Sequence, residues 1–160
     1  MTDRRAFLGL AGSAAIGLLL FGRAGGASAN FHFAITHSAA DWRRMLGAQR
    51  YAVLREAATE RPFSSPLLEE HRRGTFVCAG CALPLFSSAT KFESGTGWPS
   101  FWKPLSHAIV TRSDRSLMME RTEVLCSRCG GHLGHVFDDG PKPTGLRYCM
   151  NGLALTFRPA

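Results

Sequence analysis

Cys78-Ala79-Gly80-Cys81 and Cys126-Ser127-Arg128-Cys129 are two C-x-x-C pairs with 44 residues between them. Two intervening residues let both sulfurs of a pair face one tetrahedral ion at about 2.3 Å. Two such pairs make a Cys₄ structural zinc site, one ion per chain, so any fold must bring residues 78–81 against 126–129. Gly80 sits inside the first knuckle and Gly130 follows the second, where the backbone must turn tightly. A redox dithiol and ordinary disulfides are the alternatives. A redox pair opens a helix after a strand, whereas Ala82-Leu83-Pro84 and Gly130-Gly131-His132 are poor helix openings. Neither pair is followed by the His of a c-type haem site. A zinc clip would contribute folding free energy to a small core.

The N-terminus reads as a leader. Arg4-Arg5 precede Phe7-Leu8 and an apolar run from Ala6 to Phe21, and Ala27-Ser28-Ala29 supplies a small-x-small site. These are the parts of a twin-arginine secretory signal over residues 1–29, cleaved after Ala29. The run is shorter than the ~20 residues of a spanning helix, so no stable membrane anchor is expected. Export places the mature chain in the periplasm, by a route that carries folded proteins with metal already loaded.

Without the leader's charges the net balance falls from +7 to +5. There is no arginine-rich run interleaved with aromatics, so nucleic acid is not an expected partner. One domain and a monomer are expected from a chain of 160 residues.

Residues 30–40 are expected to be a loose linker before a domain over 41–160. Ser38 caps a helix in which Trp42, Met45 and Leu46 share a face, and a second helical stretch over 49–58 groups Val53, Leu54 and Ala57. From Thr75 onward, short β-like runs alternate with Gly, Pro and Ser clusters. The spacing predicts strands over 75–77, 83–86, 108–111, 117–120, 123–125, 135–137, 146–150 and 153–157. Helices first and many short strands afterwards indicate an α+β class, mostly β and antiparallel.

Cys149 is the fifth cysteine, in Arg147-Tyr148-Cys149-Met150-Asn151. A buried, inert thiol is the plain alternative. Its neighbours are polar and basic, however, and an unpaired thiol in an exported protein risks oxidation. His132 and His135 lie upstream, and a Cys/His pair is a known nucleophilic arrangement.

Several ordered strings resemble the B-type peptide methionine sulfoxide reductases: Thr59-Glu60-Arg61-Pro62-Phe63-Ser64, Gly95-Thr96-Gly97-Trp98-Pro99-Ser100-Phe101, Cys126-Ser127-Arg128-Cys129, His132-Leu133-Gly134-His135-Val136-Phe137 and Arg147-Tyr148-Cys149-Met150-Asn151. The resemblance runs from about Trp42 to Phe157. It implies a barrel-like roll of curved antiparallel sheets with small helices outside and a Cys₄ zinc opposite the active site. It also implies reduction of the R epimer of methionine sulfoxide, in peptides or proteins, by Cys149 through a sulfenic acid. Trp98 would receive the substrate methyl, with Phe137 and Arg147 also on the substrate side. His132 or His135 would deliver a proton or hold a water that does, and Asn151 would orient a histidine or polarise the oxygen.

One departure has consequences. Many members of that family carry a resolving cysteine where Thr96 stands. The expectation here is a one-cysteine cycle, closed by an external thiol or a thioredoxin-like protein. A zinc-pair cysteine acting as resolver is the alternative. A zinc-binding module without chemistry and a C-x-x-C thiol-disulfide oxidoreductase are the competing functions.

Overall fold

A computed structural model describes residues 31–116 and 119–160. The leader therefore lies outside the described residues, as do Leu117 and Met118 of the strand expected over 117–120. Its other two residues, Met119 and Glu120, are not in a strand.

Helix α1 (Ala39–Glu56) begins where the sequence indicates. Ser38 is its cap, and the Ser38 side chain accepts the Asp41 N–H at 3.1 Å. Gly47, at φ 69° and ψ 171°, breaks the helix into the two expected stretches. Trp42, Tyr51, Val53 and Leu54 are buried. Met45 is 54% exposed, against expectation. Trp42 and Leu46, four residues apart, already fill the strip of α1 that meets the core. Ala57 is also exposed, because it takes the left-handed cap conformation and turns off the helix.

Residues 31–38 form no helix or strand, yet they are tied down. The Ile35 N–H donates to the Arg128 carbonyl at 3.0 Å, and His37 packs edge-on against Trp42.

Nine strands follow among the described residues: β1 (Gly74–Cys78), β2 (Pro84–Ser87), β3 (Lys91–Phe92), β4 (Ser100–Phe101), β5 (Ile109–Asp114), β6 (Arg121–Cys126), β7 (His132–Phe137), β8 (Arg147–Met150) and β9 (Leu155–Pro159). They build a three-stranded sheet in the order β2-β1-β9 and a six-stranded sheet in the order β3-β4-β8-β7-β6-β5. Every pairing is antiparallel. The last strand starts at Leu155, because Gly152–Ala154 coil into a 3-10 turn. The buried Glu60 carboxylate accepts the N–H groups of Gly152 and Leu153 and draws them away from the ladder.

Aromatic packing joins the two sheets. Phe86 of β2 stacks on Phe101 of β4 at 4.4 Å between ring centroids, and Phe76 of β1 meets Phe101 edge-on at 4.9 Å. All three are fully buried. Each fully buried phenylalanine contributes roughly 1.5–3 kcal/mol relative to exposure.

The two C-x-x-C knuckles occupy the β1–β2 and β6–β7 turns. Arg55 of α1 donates to the Cys129 carbonyl at 2.9 Å, which ties the helix to the second knuckle.

Candidate active site

Strand β8 lies between β4 and β7, and the register places Cys149 opposite Ser100 on one side and His135 on the other. Gly134 makes this approach possible. A Cβ there would stand 2.1 Å from the Cys149 carbonyl oxygen, and the backbone is at φ 155°.

The half-buried Cys149 opens on a cleft of about 130 Å³. Thr59, Trp98, Arg121, Gly134, His135, Phe137 and Asn151 complete its lining. That volume admits one side chain and little more. The Trp98 indole N–H donates to the Glu60 carbonyl at 3.2 Å, which fixes the ring as a wall. Phe137 carries the Arg147 guanidinium over its face at 4.4 Å. Arg147 in turn grips Asp139 with two 2.8 Å bonds.

The histidines are held by carboxylates from neighbouring strands. His135 Nε2 lies 2.8 Å from Asp114 Oδ2, at the end of β5. Burial pushes the His135 pKa below its ordinary value, although Asp114 pulls the other way. His132 Nδ1 lies 2.7 Å from Glu123 Oε1, and the other oxygen of Glu123 pairs with Arg112. Burial raises the Glu123 pKa, but His132 and then Arg112 outweigh it and hold the group below the usual carboxylate range. The His132 ring is 5.5 Å from His135 and edge-on to it, with Nε2 buried and unpartnered.

The two histidines are therefore not equivalent. His135 lines the cleft, while His132 stands behind it. Asn151 bonds neither of them. Its Oδ1 accepts from the Glu60 N–H at 3.0 Å and its Nδ2 donates to the Leu133 carbonyl at 3.2 Å. Its side chain thus fastens the 59–60 segment to the sheet beside the cleft.

Sequence reasoning missed Asp114, Glu123 and Arg121. Arg121 lines the cleft and bonds Asp114 at 2.7 Å and Ser116 at 3.1 Å. No local spacing marks these residues. Strand register brings them to the histidines, with Glu123 directly opposite His135.

Thr96 Oγ1 lies 3.7 Å from Cys149 Sγ. Ser94 bonds both Thr96, at 2.8 Å, and Ser100, at 2.7 Å, so a chain of hydroxyls runs past the thiol.

The other four cysteines form a separate cluster. Cys78 and Cys129 stand 3.7 Å apart, Cys81 and Cys126 3.5 Å, and all four sulfurs lie within 4.8 Å of one another. A disulfide would need about 2.05 Å. A tetrahedron of sulfurs with metal bonds near 2.3 Å has edges of about 3.8 Å, so the set fits one four-coordinate ion. None of the five cysteines is in a disulfide.

The SelR domain model matches residues 46–159. A "Peptide methionine sulfoxide reductase MsrB" from Leptospira interrogans is 51% identical over 128 residues, covering 79% of this chain and 98% of that protein. Proteins of the same description from Bradyrhizobium diazoefficiens and Thiobacillus denitrificans are 57% and 54% identical, over 78% and 75% of this chain and 91% and 92% of their own lengths. The chain belongs to the MsrB family. As an MsrB-family chain it is an oxidoreductase of methionine sulfoxide. The MsrB match embraces both knuckles and the whole cleft around Cys149.

Proposed function

We propose that this chain reduces the R epimer of methionine sulfoxide in peptides and proteins, with Cys149 as nucleophile. The observation that carries the reading is the cleft itself. A half-buried thiol faces a space sized for one side chain, between the aromatic walls Trp98 and Phe137 and a carboxylate-held histidine.

The chemistry follows from those positions. The Cys149 thiolate attacks the sulfoxide sulfur while His135, whose Nε2 is tied to Asp114, offers Nδ1 for proton delivery to the oxygen. Oxygen passes to Cys149, giving a sulfenic acid and methionine. Trp98 takes the methyl and His135 the oxygen, with Cys149 at the sulfur. Three fixed points around a stereogenic centre select one hand. His132 and Glu123 support His135 from behind.

Two external thiols then close the cycle. The first attacks the sulfenic sulfur and expels water, and the second breaks the mixed disulfide and restores the Cys149 thiol. Thr96, which has no thiol to offer, supports this one-cysteine route. The zinc-pair cysteines are poorly placed to intervene. Cys149 and Cys126 are separated by two strand spacings and three residues along the sheet, about 14 Å between Cα atoms. A disulfide needs less than about 7 Å.

Zinc is the ion proposed for Cys78, Cys81, Cys126 and Cys129. It would lock the two hairpin turns together and supply folding free energy, away from the chemistry. The leader over residues 1–29 is proposed to send the chain to the periplasm, where it would repair oxidised exported proteins as a monomer. N-terminal sequencing of the protein recovered from that compartment tests cleavage after Ala29.

The functional reading is tested by turnover on separate R and S epimers of a sulfoxide peptide, with a small dithiol as reductant. Reduction of R alone, abolished by Cys149→Ser with the metal retained, is the expected result.

A further inference from the structure

A second and larger depression adjoins the catalytic cleft. It measures about 820 Å³, within the ~300–1,000 Å³ range of ligand-binding sites, and it runs between the second half of α1, the 58–67 segment and β9. The two hollows lie on either side of a shared wall. Thr59 lines both. Asn151 lines the cleft while Gly152 and Leu153, the next two residues, line the groove. The Asn151 side chain holds the Glu60 N–H at 3.0 Å, so this wall is fixed.

The charge of the groove is one-sided. Its charged lining residues are Arg50, Arg61 and Glu60. The Glu60 carboxylate is consumed by the N–H groups of Gly152 and Leu153. Among the described residues neither Arg50 nor Arg61 has an ion pair. The other arginine of α1's second half, Arg55, is committed to the Cys129 carbonyl.

The catalytic cleft has room for the methionine side chain only, so the main chain of a polypeptide substrate must leave it along the surface. We infer that the groove is the subsite for the polypeptide segment flanking the oxidised methionine, and that Arg50 and Arg61 select acidic side chains in that segment. The inference rests on the methionine sulfoxide reading and names which protein substrates are preferred. Ser64, Ser65 and Thr156 supply hydroxyls along the path, and Val53, Leu67 and Leu155 an apolar floor.

The experiment compares two peptides that differ only in the residues two to five positions to either side of an R-methionine sulfoxide, Asp and Glu in one and Lys in the other. The readout is the ratio of their kcat/KM values within each enzyme, which is independent of that enzyme's absolute activity. The full-length protein should prefer the acidic peptide about fivefold, chiefly through KM, as expected of two exposed ion pairs. The preference should shrink as salt is raised. In the Arg50→Gln/Arg61→Gln double variant the ratio should fall to about one.

An equal ratio in the unsubstituted enzyme would overturn the subsite, as would a preference that survives the double substitution. Failure to reduce either peptide would instead sink the sulfoxide reductase reading beneath it.

Discussion

Thr96 Oγ1 stands 3.7 Å from Cys149 Sγ, in van der Waals contact with the thiol. The contact puts position 96 within reach of a disulfide partner. Thr96→Cys should convert the one-cysteine cycle into a two-cysteine one. After one turnover without reductant, the unsubstituted enzyme should hold a Cys149 sulfenic acid that a nucleophilic tag captures. The variant should resist the tag, lose two titratable thiols, and show a disulfide between position 96 and Cys149. Persistent tagging would mean that the hydroxyl position does not map to a usable thiol.

The four clustered sulfurs, all within 4.8 Å, should hold one zinc per chain by metal analysis. Structural zinc contributes folding free energy directly. Cys126→Ser should therefore lower the Tm by on the order of 10 °C or more, given about 3–5 °C per kcal/mol for a domain of this size. A strong chelator should unfold the unsubstituted protein reversibly. Zinc-free protein with an unchanged Tm would contradict the clip.

Glu123 links the histidines to acid stability. Its pKa in the folded protein lies below the ordinary 4.5. On acidification the unfolded chain takes up this proton first, so the stabilisation is complete above pH 4.5 and is lost as pH falls through the folded value. His135, also lowered from its ordinary 6.5, acts with the same sign at higher pH, because the unfolded chain again protonates first. Glu123→Gln should reduce stability at pH 7 by about 1–3 kcal/mol, by weakening the buried bonds to His132 and Arg112. It should also flatten the loss of stability below pH 4.5. Urea unfolding across that range reads both effects.

Trp98 is fixed by its bond to Glu60 and forms one wall of the cleft. Trp98→Ala should reduce kcat/KM on the R epimer by about 10- to 100-fold, the equivalent of roughly 1–3 kcal/mol of lost apolar contact. Discrimination between epimers should narrow as well. Trp98→Phe should keep most of both. A Trp98→Ala enzyme with intact rate and selectivity would remove the methyl-binding wall from the mechanism.

The sequence read best where structure is set locally. The knuckles were legible because C-x-x-C spacing is dictated by metal geometry. Ser38 was legible because a cap bonds its own next turn. Strands such as β1 and β6 carry enough branched and aromatic residues to declare themselves.

By contrast, β3 and β4 are two residues each, and exist because β8 pairs with Ser100 and Phe101. Their own composition says nothing of that. Leu153 alternated properly for a strand, yet a buried carboxylate 93 residues away coils it into a 3-10 turn. The partners of the two histidines were hidden for the same reason. Asp114 and Glu123 reach them across strands, by a register that includes a bulge between Val124 and Leu125.

The central claim is that Cys149 itself receives the sulfoxide oxygen. A single-turnover experiment without reductant tests it most directly. Stoichiometric enzyme and R-methionine sulfoxide peptide are mixed, methionine is counted, and the oxidised residue is located by mass spectrometry. The account predicts one methionine formed per chain and one added oxygen on the peptide containing Cys149, with Cys78, Cys81, Cys126 and Cys129 unchanged. Oxygen found elsewhere, a disulfide from Cys149 to a zinc-pair cysteine, or equal consumption of the S epimer would contradict it.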